Sequence, residues 1–537
     1  PLDLLPQRWI DYTSLDLVCI SIGQIEQLAA QQPSRWQAIR DWTAAGGNLI
    51  VSGAGANYEN LGRLDRWLSE RSLGSGTPEG SDAATAPNQP GDWQKPSSSD
   101  DLDRLKDAPA QPSYGNVTSF PGAAMPAAPS GAAPTSPAAA EPPPTTPASF
   151  RLRPFDIGMV VATTSDDVFK EPMRHWAWIL NSLTADRWLW YRRHGLSYER
   201  GNPNFWDWLI AGVGLAPVSE FRILISVFVL AIGPLNYYWL RRRGKLHLLV
   251  LIVPLAALAV TSSLFGYALI ADGLDVRVRS RSFTQIDQRA GRAVCWARNS
   301  YYAGLAPSSL NFPADMAVFP LAINENDESD APYRHSLMWT DHEQRLVSGW
   351  LASRTPTQFI TVRARPSPAG IKFGRTGEGP QVENRLGTRI ARLLLADGSG
   401  QHYRAADVAD GARVKLQSVE PGDEEIEIWR AVMDLKPGVP MGFTPHSDYG
   451  FGIRRRGGWY YGQNANLPAP SQDASRLEAA LRTAIAGPGG RSVHLKPIGF
   501  PLAPRSYLAL VDRSPEVDFG IDDAREENSL HVVVGNW

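Results

Sequence analysis

The sequence predicts a multi-domain membrane protein with an α/β domain, a two-helix transmembrane hairpin and a C-terminal β-sandwich-like domain. Three observations predict it. Two long apolar runs between Phe221 and Ala271 flank the cluster Arg241-Arg242-Arg243-Gly244-Lys245. A strand, a helix, a glycine stop and a second strand follow one another within residues 1–72. Short apolar segments separated by turn residues fill residues 272–537.

The α/β domain is expected over residues 1–72 and 151–200. Leu15 to Gly23 (LDLVCISIG) carries one charge, Asp16, near its start and reads as a short buried strand. Ser34 to Trp42 reads as a helix with Ser34 as its N-cap. Trp36, Ile39 and Trp42 recur every third residue and share one broad face. Gly46-Gly47 stops the helix, and Asn48 to Val51 begins another strand, the pattern of a βαβ unit in a parallel sheet. Residues 73–150 are dominated by Ala, Pro, Ser, Gly and Thr. They offer too little apolar side chain to offset the entropy of ordering, so a disordered insertion is expected. Beyond it Ile157 to Ala162 is strand-like, and Met173 to about Leu189 is helical and rich in Trp. Residues 201–220 form a juxtamembrane segment.

The first apolar run, residues 221–240, holds one charge, Arg222. The second, residues 246–271, holds no Asp, Glu, Lys or Arg. As helices they reach roughly 30 and 39 Å, enough for a hydrocarbon core of about 30 Å. Neither shows the polar face of an amphipathic core helix. Trp206, Trp208, Tyr237, Tyr238, Trp239 and Tyr267 lie where headgroups are expected. The basic turn, residues 241–245, is retained on the cytoplasmic side by the positive-inside rule, although Arg277, Arg279 and Arg281 follow the second run. Pro234 and Pro254 each remove a backbone donor and are expected to bend their helices. No Asp, Glu or Lys lies inside either span, so the hairpin reads as an anchor and not an ion path.

Past the hairpin, Asp275 to Asp287 partly alternates, as a half-exposed strand does. Apolar segments recur at Met316–Ile323, Phe359–Val362, Ile390–Leu395, Val414–Val419, Tyr507–Val511 and His531–Val534. Gly, Pro, Asp and Asn separate them, which predicts a sandwich with one helix, Ala474 to Ala486, near the end.

Composition excludes some classes of function. A formal charge of −2, with no basic stripe outside the hairpin turn, gives no footprint for nucleic acid. Two cysteines, Cys19 and Cys295, make neither a metal spacing nor a disulfide framework. Ser52-Gly53-Ala54-Gly55-Ala56 after the second strand lies where an elbow nucleophile or a phosphate turn would sit. Its centre is alanine and no phosphate-binding glycine pattern follows, so it reads as a structural turn. Cys19 lies in an apolar strand and reads as core. Gly374 to Gly379 lacks the P-loop lysine and reads as a turn between strands. His335, Asp341 and His342, and likewise His446 and Asp448, match no metal spacing. Glu424-Glu425 and Asp522-Asp523 read as solvated loop charges. No catalytic, cofactor-binding or metal-ligating residue is therefore assigned, and no cofactor is expected.

The segments LPQRWIDYTSLDLVCIS (5–21) and RWQAIRDWTAAGGNLIVSGAG (35–55), with Gly233-Pro234-Leu235-Asn236-Tyr237 and a basic turn, resemble a known group. It comprises bacterial membrane proteins in which a class I glutamine amidotransferase-like domain is followed by transmembrane helices. The resemblance covers roughly residues 1–271 and implies an incomplete α/β domain of amidotransferase-like, flavodoxin-like fold. Active amidotransferases place cysteine at the elbow, where this chain has Ala54, so the resemblance implies the fold without the activity. The early strands of such a domain are missing before Pro1, and an upstream segment or membrane helix is expected to precede it.

The expected function is that of a non-enzymatic envelope protein anchored in the bacterial inner membrane. Its soluble domains would be extracytoplasmic, and its partners the lipid bilayer and another envelope or membrane protein. An accessory subunit of a transporter or secretion complex is the first alternative. A hydrolase or amidotransferase-like enzyme using Cys19 or Ser52 is the second.

Overall fold

Strands β1 (Leu17–Ser21), β2 (Asn48–Ser52), β3 (Phe150–Phe155) and β4 (Gly158–Thr163) build the first sheet, in the order β1-β2-β4-β3. The computed structural model describes residues 2–72, 93–96, 149–183, 185–194, 205, 208–210, 213, 218–321, 335–377, 379–419, 477 and 502–537. β1, β2 and β4 are parallel, with Leu17 opposite Asn48 and Asn48 opposite Met159, while β3 pairs antiparallel to β4 at the edge. Every residue of β2 and β4 is buried, as parallel strands covered on both faces require.

Two helices connect β1 to β2, where the sequence predicted one. Helix α1 (Ile22–Gln31) starts at Ser21, whose hydroxyl accepts the Gln24 N–H while the Gln24 side chain accepts the Ser21 N–H. That Ser-x-x-Gln capping box was the missed signal. Helix α2 (Pro33–Ala44) begins one residue before the expected Ser34 cap, with Pro33 in the first turn, where its missing N–H costs nothing. Gly46, at φ 117°, ends it in a conformation that favours glycine. The broad apolar face read from Trp36, Ile39 and Trp42 is real but incomplete. Every residue from Trp36 to Ala44 is buried, including Gln37, Arg40, Asp41 and Thr43.

That burial has a structural cause: α2 lies between two sheets. On one side are Leu49, Val51 and Val160 of the parallel sheet; on the other are Val294, Trp296, Ile360 and Val362 of a second, ten-stranded sheet. Each large aliphatic side chain enclosed there contributes roughly 1.5–3 kcal/mol. The helix Met173–Leu183 covers the opposite face of the parallel sheet, against Ile50, Phe150 and Val161. The insertion, residues 73–150, lies outside the described residues except at 93–96 and at its last two residues, 149 and 150. There Gln94 bridges Leu152 and the Trp93 indole N–H donates to Asp65 at 3.0 Å.

The strands after the hairpin are β5 (Val276–Asp287), β6 (Arg292–Ala303), β7 (Ser309–Pro313), β8 (Met316–Leu321), β9 (Ser336–Trp339) and β10 (Glu343–Val347). They continue as β11 (Thr357–Pro366), β12 (Gly370–Thr376), β13 (Gly379–Arg385), β14 (Ile390–Ala396), β15 (His402–Val408), β16 (Arg413–Lys415) and β17 (Gln417–Val419). β18 (Ser506–Val511), β19 (Arg525–Glu526) and β20 (Leu530–Asn536) complete the set. The long sheet runs β17-β15-β14-β18-β20-β5-β6-β11-β8, with β19 added beside β5. β20 is parallel to β5, placing the chain end against the strand that leaves the hairpin.

Two three-stranded sheets, β7-β10-β9 and β12-β13-β16, pack on the face of the long sheet away from α2. The architecture is therefore one long wall and two short ones, not two equal sheets. The apolar segment Val414–Val419 divides between β16 and β17, which belong to different sheets. β6 was not legible: RAVCWARNSYYA has no alternation because both of its faces are covered. The expected helix Ala474 to Ala486 lies outside the described residues, save for buried Leu477.

Arg222–Arg242 and Leu246–Leu264 are long and apolar enough to cross a membrane, and almost none of their residues is buried. The first consists of α-helix Val218–Leu230, one π-turn Ala231–Leu235 and α-helix Asn236–Arg242. Pro234, expected to bend this helix, lies inside the π-turn, which accommodates its missing donor. The second runs as α-helix Leu249–Asp272 through Pro254.

Candidate functional site

The glycine turn after β2 is closed to ligands by the chain itself. Gly53 and Gly55 have φ of 81° and 89°, and the N–H groups of Gly53 and Ala54 donate to Ser165 and Thr163 carbonyls at 2.8 and 3.0 Å. Ala54 is wholly buried. The Glu59 carboxylate accepts the Asn57 N–H at 3.0 Å and lies against Gly55, where any Cβ would collide with it. Backbone N–H groups of Glu59, Asn57 and Ala56 hold that acid below its usual range. A carboxylate of the chain itself, on the exposed Glu59, thus lies where a phosphate would meet this turn.

Neither Cys19 nor Ser52, the residues of the enzymatic alternative, has a histidine bonded to it among the described residues. Burial pushes the Cys19 thiol up to about 11 and the Cys295 thiol up to about 12, so neither supplies a thiolate at neutral pH. Both are free; Cys19 lies in β1 and Cys295 in β6. Ser52 is buried at the end of β2. His175 sits near Phe150 and Trp178 on the far face of the sheet, 3.5 Å from Glu171, and burial lowers its pKa. His194 stacks on Trp296 at 5.5 Å and donates through Nδ1 to Trp190 O at 2.8 Å. Burial, and then Arg193, lower its pKa to about 3. Neither histidine bonds Ser52 among the described residues.

The remaining sequence candidates are dispersed. His335 stacks on Trp350 at 4.7 Å and meets Gly349 O at 3.1 Å. Asp341 and His342 are exposed in the β9–β10 turn. The expected turn over 374–379 is mostly strand: Gly374 to Thr376 belong to β12 and Gly379 opens β13, which leaves Gly377 in the connection. Asp522 and Asp523 are exposed; Glu424, Glu425, His446 and Asp448 lie outside the described residues. No group of three metal-ligating side chains occurs among the described residues.

Polar chemistry concentrates instead at the seam between α2 and the long sheet. Arg292 at the start of β6 donates through Nε at 2.9 Å and Nη2 at 2.5 Å to Oδ2 of Asp156, in the β3–β4 turn. Its guanidinium also lies 4.6 Å from the Phe155 ring centroid. Burial opposes its charge, but Asp156, Asp41 and Asp287 outweigh that and raise its pKa. On α2, Gln37 donates to Asp41 at 2.6 Å, and Arg40 donates to Gln37 and to the Glu70 carbonyl at 2.6 Å. The Trp296 indole N–H reaches the Ala45 carbonyl at 2.8 Å, and Ser72 N–H reaches Ala290 O at 2.7 Å. This network locks two sheets together.

A second polar group, missed from sequence, lies on the other face of the long sheet. Ser282 Oγ is 2.7 Å from His531 Nδ1, and His531 Nε2 is 2.5 Å from Glu526 Oε1. Burial would raise the Glu526 acid, but His531, Ser529 and Arg513 outweigh it and hold it below its usual range. Serine, histidine and carboxylate are the constituents of a hydrolytic triad. Here, however, the hydroxyl is fully enclosed and bonds Nδ1, so the chain fastens β19 and β20 onto β5. A faint signal existed: Ser280, Ser282 and Thr284 alternate on the inward face of β5, between apolar Val278 and Ile286.

Segments on either side of the hairpin pack on this body. Before it, Trp208, expected at the headgroups, is instead buried, its ring centroid 5.3 and 4.7 Å from the Arg281 and Arg298 guanidiniums. Arg279 donates to Leu209 O at 3.0 Å and Gln358 to Phe205 O at 2.7 Å. After it, Gly273 (φ 75°) turns the chain into β5, so closely packed on Gly304 that a Cβ at 304 would collide with the Gly273 carbonyl. Gly304 N–H donates to Asp275 O at 3.1 Å. Trp206 lies outside the described residues, as does the side chain of Tyr267.

No protein-family model and no curated protein matches the chain.

Proposed function

We propose that this chain is a non-enzymatic envelope protein, anchored in the bacterial inner membrane by its hairpin, whose soluble body binds another envelope component outside the cytoplasm. The observation that carries the reading is the packing of both flanking segments on one body, by Trp208 and Leu209 before the hairpin and Gly273 after it. With two spans between them, both ends emerge on one side, and the four cations of the turn lie on the other. The three parallel strands, with α2 beside them and Ala54 at the elbow, support descent from an amidotransferase-like domain without its nucleophile. The filled glycine turn and the protonated thiols support a binding role over an enzymatic one.

Protease added to spheroplasts tests the orientation: both soluble parts should be digested while the inner membrane is intact. Digestion only after permeabilisation of that membrane overturns it. Alanine at Cys19 and at Ser52 should leave any phenotype unchanged.

A second reading, an accessory subunit of a transporter or secretion complex, draws on Asn236. Its side-chain Nδ2 is enclosed and has no acceptor among the described residues, just after the π-turn. A polar side chain in hydrocarbon favours association with another helix that supplies the missing acceptor. Under this reading a membrane protein co-purifies in mild detergent and is lost on Asn236→Leu; co-purification unchanged by that substitution removes the support.

A further inference from the structure

The tip of the hairpin carries a second message besides orientation. Arg241, Arg242, Arg243 and Lys245 are all exposed, and the sequence holds no Asp or Glu between Glu220 and Asp272. None of the four forms a salt bridge among the described residues. They are not spent on capping the helix either. The carbonyls of Trp239, Leu240 and Arg241 already accept the N–H groups of Arg243, Lys245 and Gly244 at 3.2, 3.0 and 3.1 Å. Gly244, at φ 69°, makes that closure possible. Leu240, just before them, is buried, whereas the cations themselves are exposed. The Arg243 guanidinium lies 3.9 Å from the Trp239 ring centroid, and Tyr237, Tyr238 and Trp239 are exposed immediately before the charges.

We propose that this tip is a docking surface for anionic phospholipid headgroups of the leaflet it reaches. The proposal rests on the reading that the hairpin spans the bilayer. Charge complementarity carries it: four cations with no salt bridge among the described residues meet a surface of phosphodiesters. The guanidinium fork matches phosphate oxygens two at a time. The aromatic residues belong at the depth where rings and headgroups meet. A soluble acidic protein would have to approach a tip whose flanking helices are apolar over their length, so a lipid is the fitting partner.

The test uses the full chain in detergent, titrated with phosphatidylglycerol or phosphatidylcholine, with bound lipids counted by native mass spectrometry. Wild type should prefer phosphatidylglycerol by about tenfold at low salt, since basic residues near an anionic surface each add favourable energy that salt screens. The variant with Arg241, Arg242, Arg243 and Lys245 all replaced by Gln should lose that preference. A variant with the three arginines replaced by Lys should keep most of it. No preference in wild type, or one unchanged in the Gln variant, overturns the proposal. Alkaline carbonate extraction of wild-type membranes tests the spanning reading separately. Protein retained in the pellet upholds that reading, and protein released overturns it whatever the lipid counts show.

Discussion

Arg292 and Asp156, 136 residues apart in the chain, form a buried ion pair with the arginine on the long sheet and the aspartate on the parallel one. The pair joins two modules that the sequence presented as separate domains tied only through the membrane. Because α2 packs on both sheets, the two are expected to unfold as one body.

Arg292→Met leaves the Asp156 carboxylate buried without its partner. A loss of about 3–5 kcal/mol is expected. In a tryptophan-fluorescence melt of the detergent-purified chain, both modules should unfold together at a lower temperature. Replacing Asp156 as well, by Leu, should recover much of the loss. A single-variant loss below about 1 kcal/mol would show the pair to be incidental.

His194 makes the seam sensitive to acid. Burial, with Arg193 beside it, takes its pKa to about 3, below the ordinary imidazole value near 6.5. Folding therefore favours the neutral ring. Its contribution is complete above about pH 6.5 and is lost as pH falls toward 3. His194→Phe keeps a ring against Trp296 and removes the proton site. Wild-type stability should fall more steeply than that of the variant between pH 6 and 3; parallel profiles count against this account.

Asp397 acts lower on the pH scale. Burial works against its charge, but Ser399, the Gln401 N–H and Arg375 hold its acid at about 2. Ser399 and Gln401 N–H groups donate at 2.8 and 3.1 Å, and Arg375 at 2.7 Å. A depressed carboxyl stabilises the fold above its ordinary value near 3.9, and that stabilisation is lost as pH falls toward 2. Asp397→Asn should lower the melting temperature by a constant amount above pH 5, with the two curves converging near pH 2. Curves that stay separated at pH 2 contradict the assignment.

Gly304→Ala tests the joint between the second hairpin helix and β5. The added methyl meets the Gly273 backbone, so overpacking should cost about 1–3 kcal/mol. Gly266→Ala, inside the second helix with open space around it, serves as the control. Equal stability of the two variants in a denaturant titration would refute a rigid joint.

Glu526→Gln should detach β19 without affecting the parallel sheet. It removes the charged acceptor of His531 on a strand that pairs β5 through only Arg525 and Glu526. Amide exchange should rise at residues 525–531 and stay unchanged in β2 and β4. Faster exchange in both places would mean that the relay supports the whole body.

The sequence alone determined what depends on neighbouring residues. The strand, glycine stop and strand of the α/β part follow from local periodicity and turn chemistry. The two apolar helices follow from uninterrupted runs whose length and composition need no partner to be read. The basic turn and the alternation of β5 belong to the same level. Tertiary structure decided what depends on distant partners. It buried Arg40 and Asp41 of a helix read as one-sided, because a second sheet covers the other side. It made β6 a central strand despite its mixed letters, since Arg292, Asn299 and Ser300 find partners or enclosure there. It moved Trp208 from the membrane boundary onto two arginines, and it brought Ser282 to His531 across 249 residues. Local spacing encodes the elements, whereas the polar groups inside this body are stabilised only by contacts that folding creates.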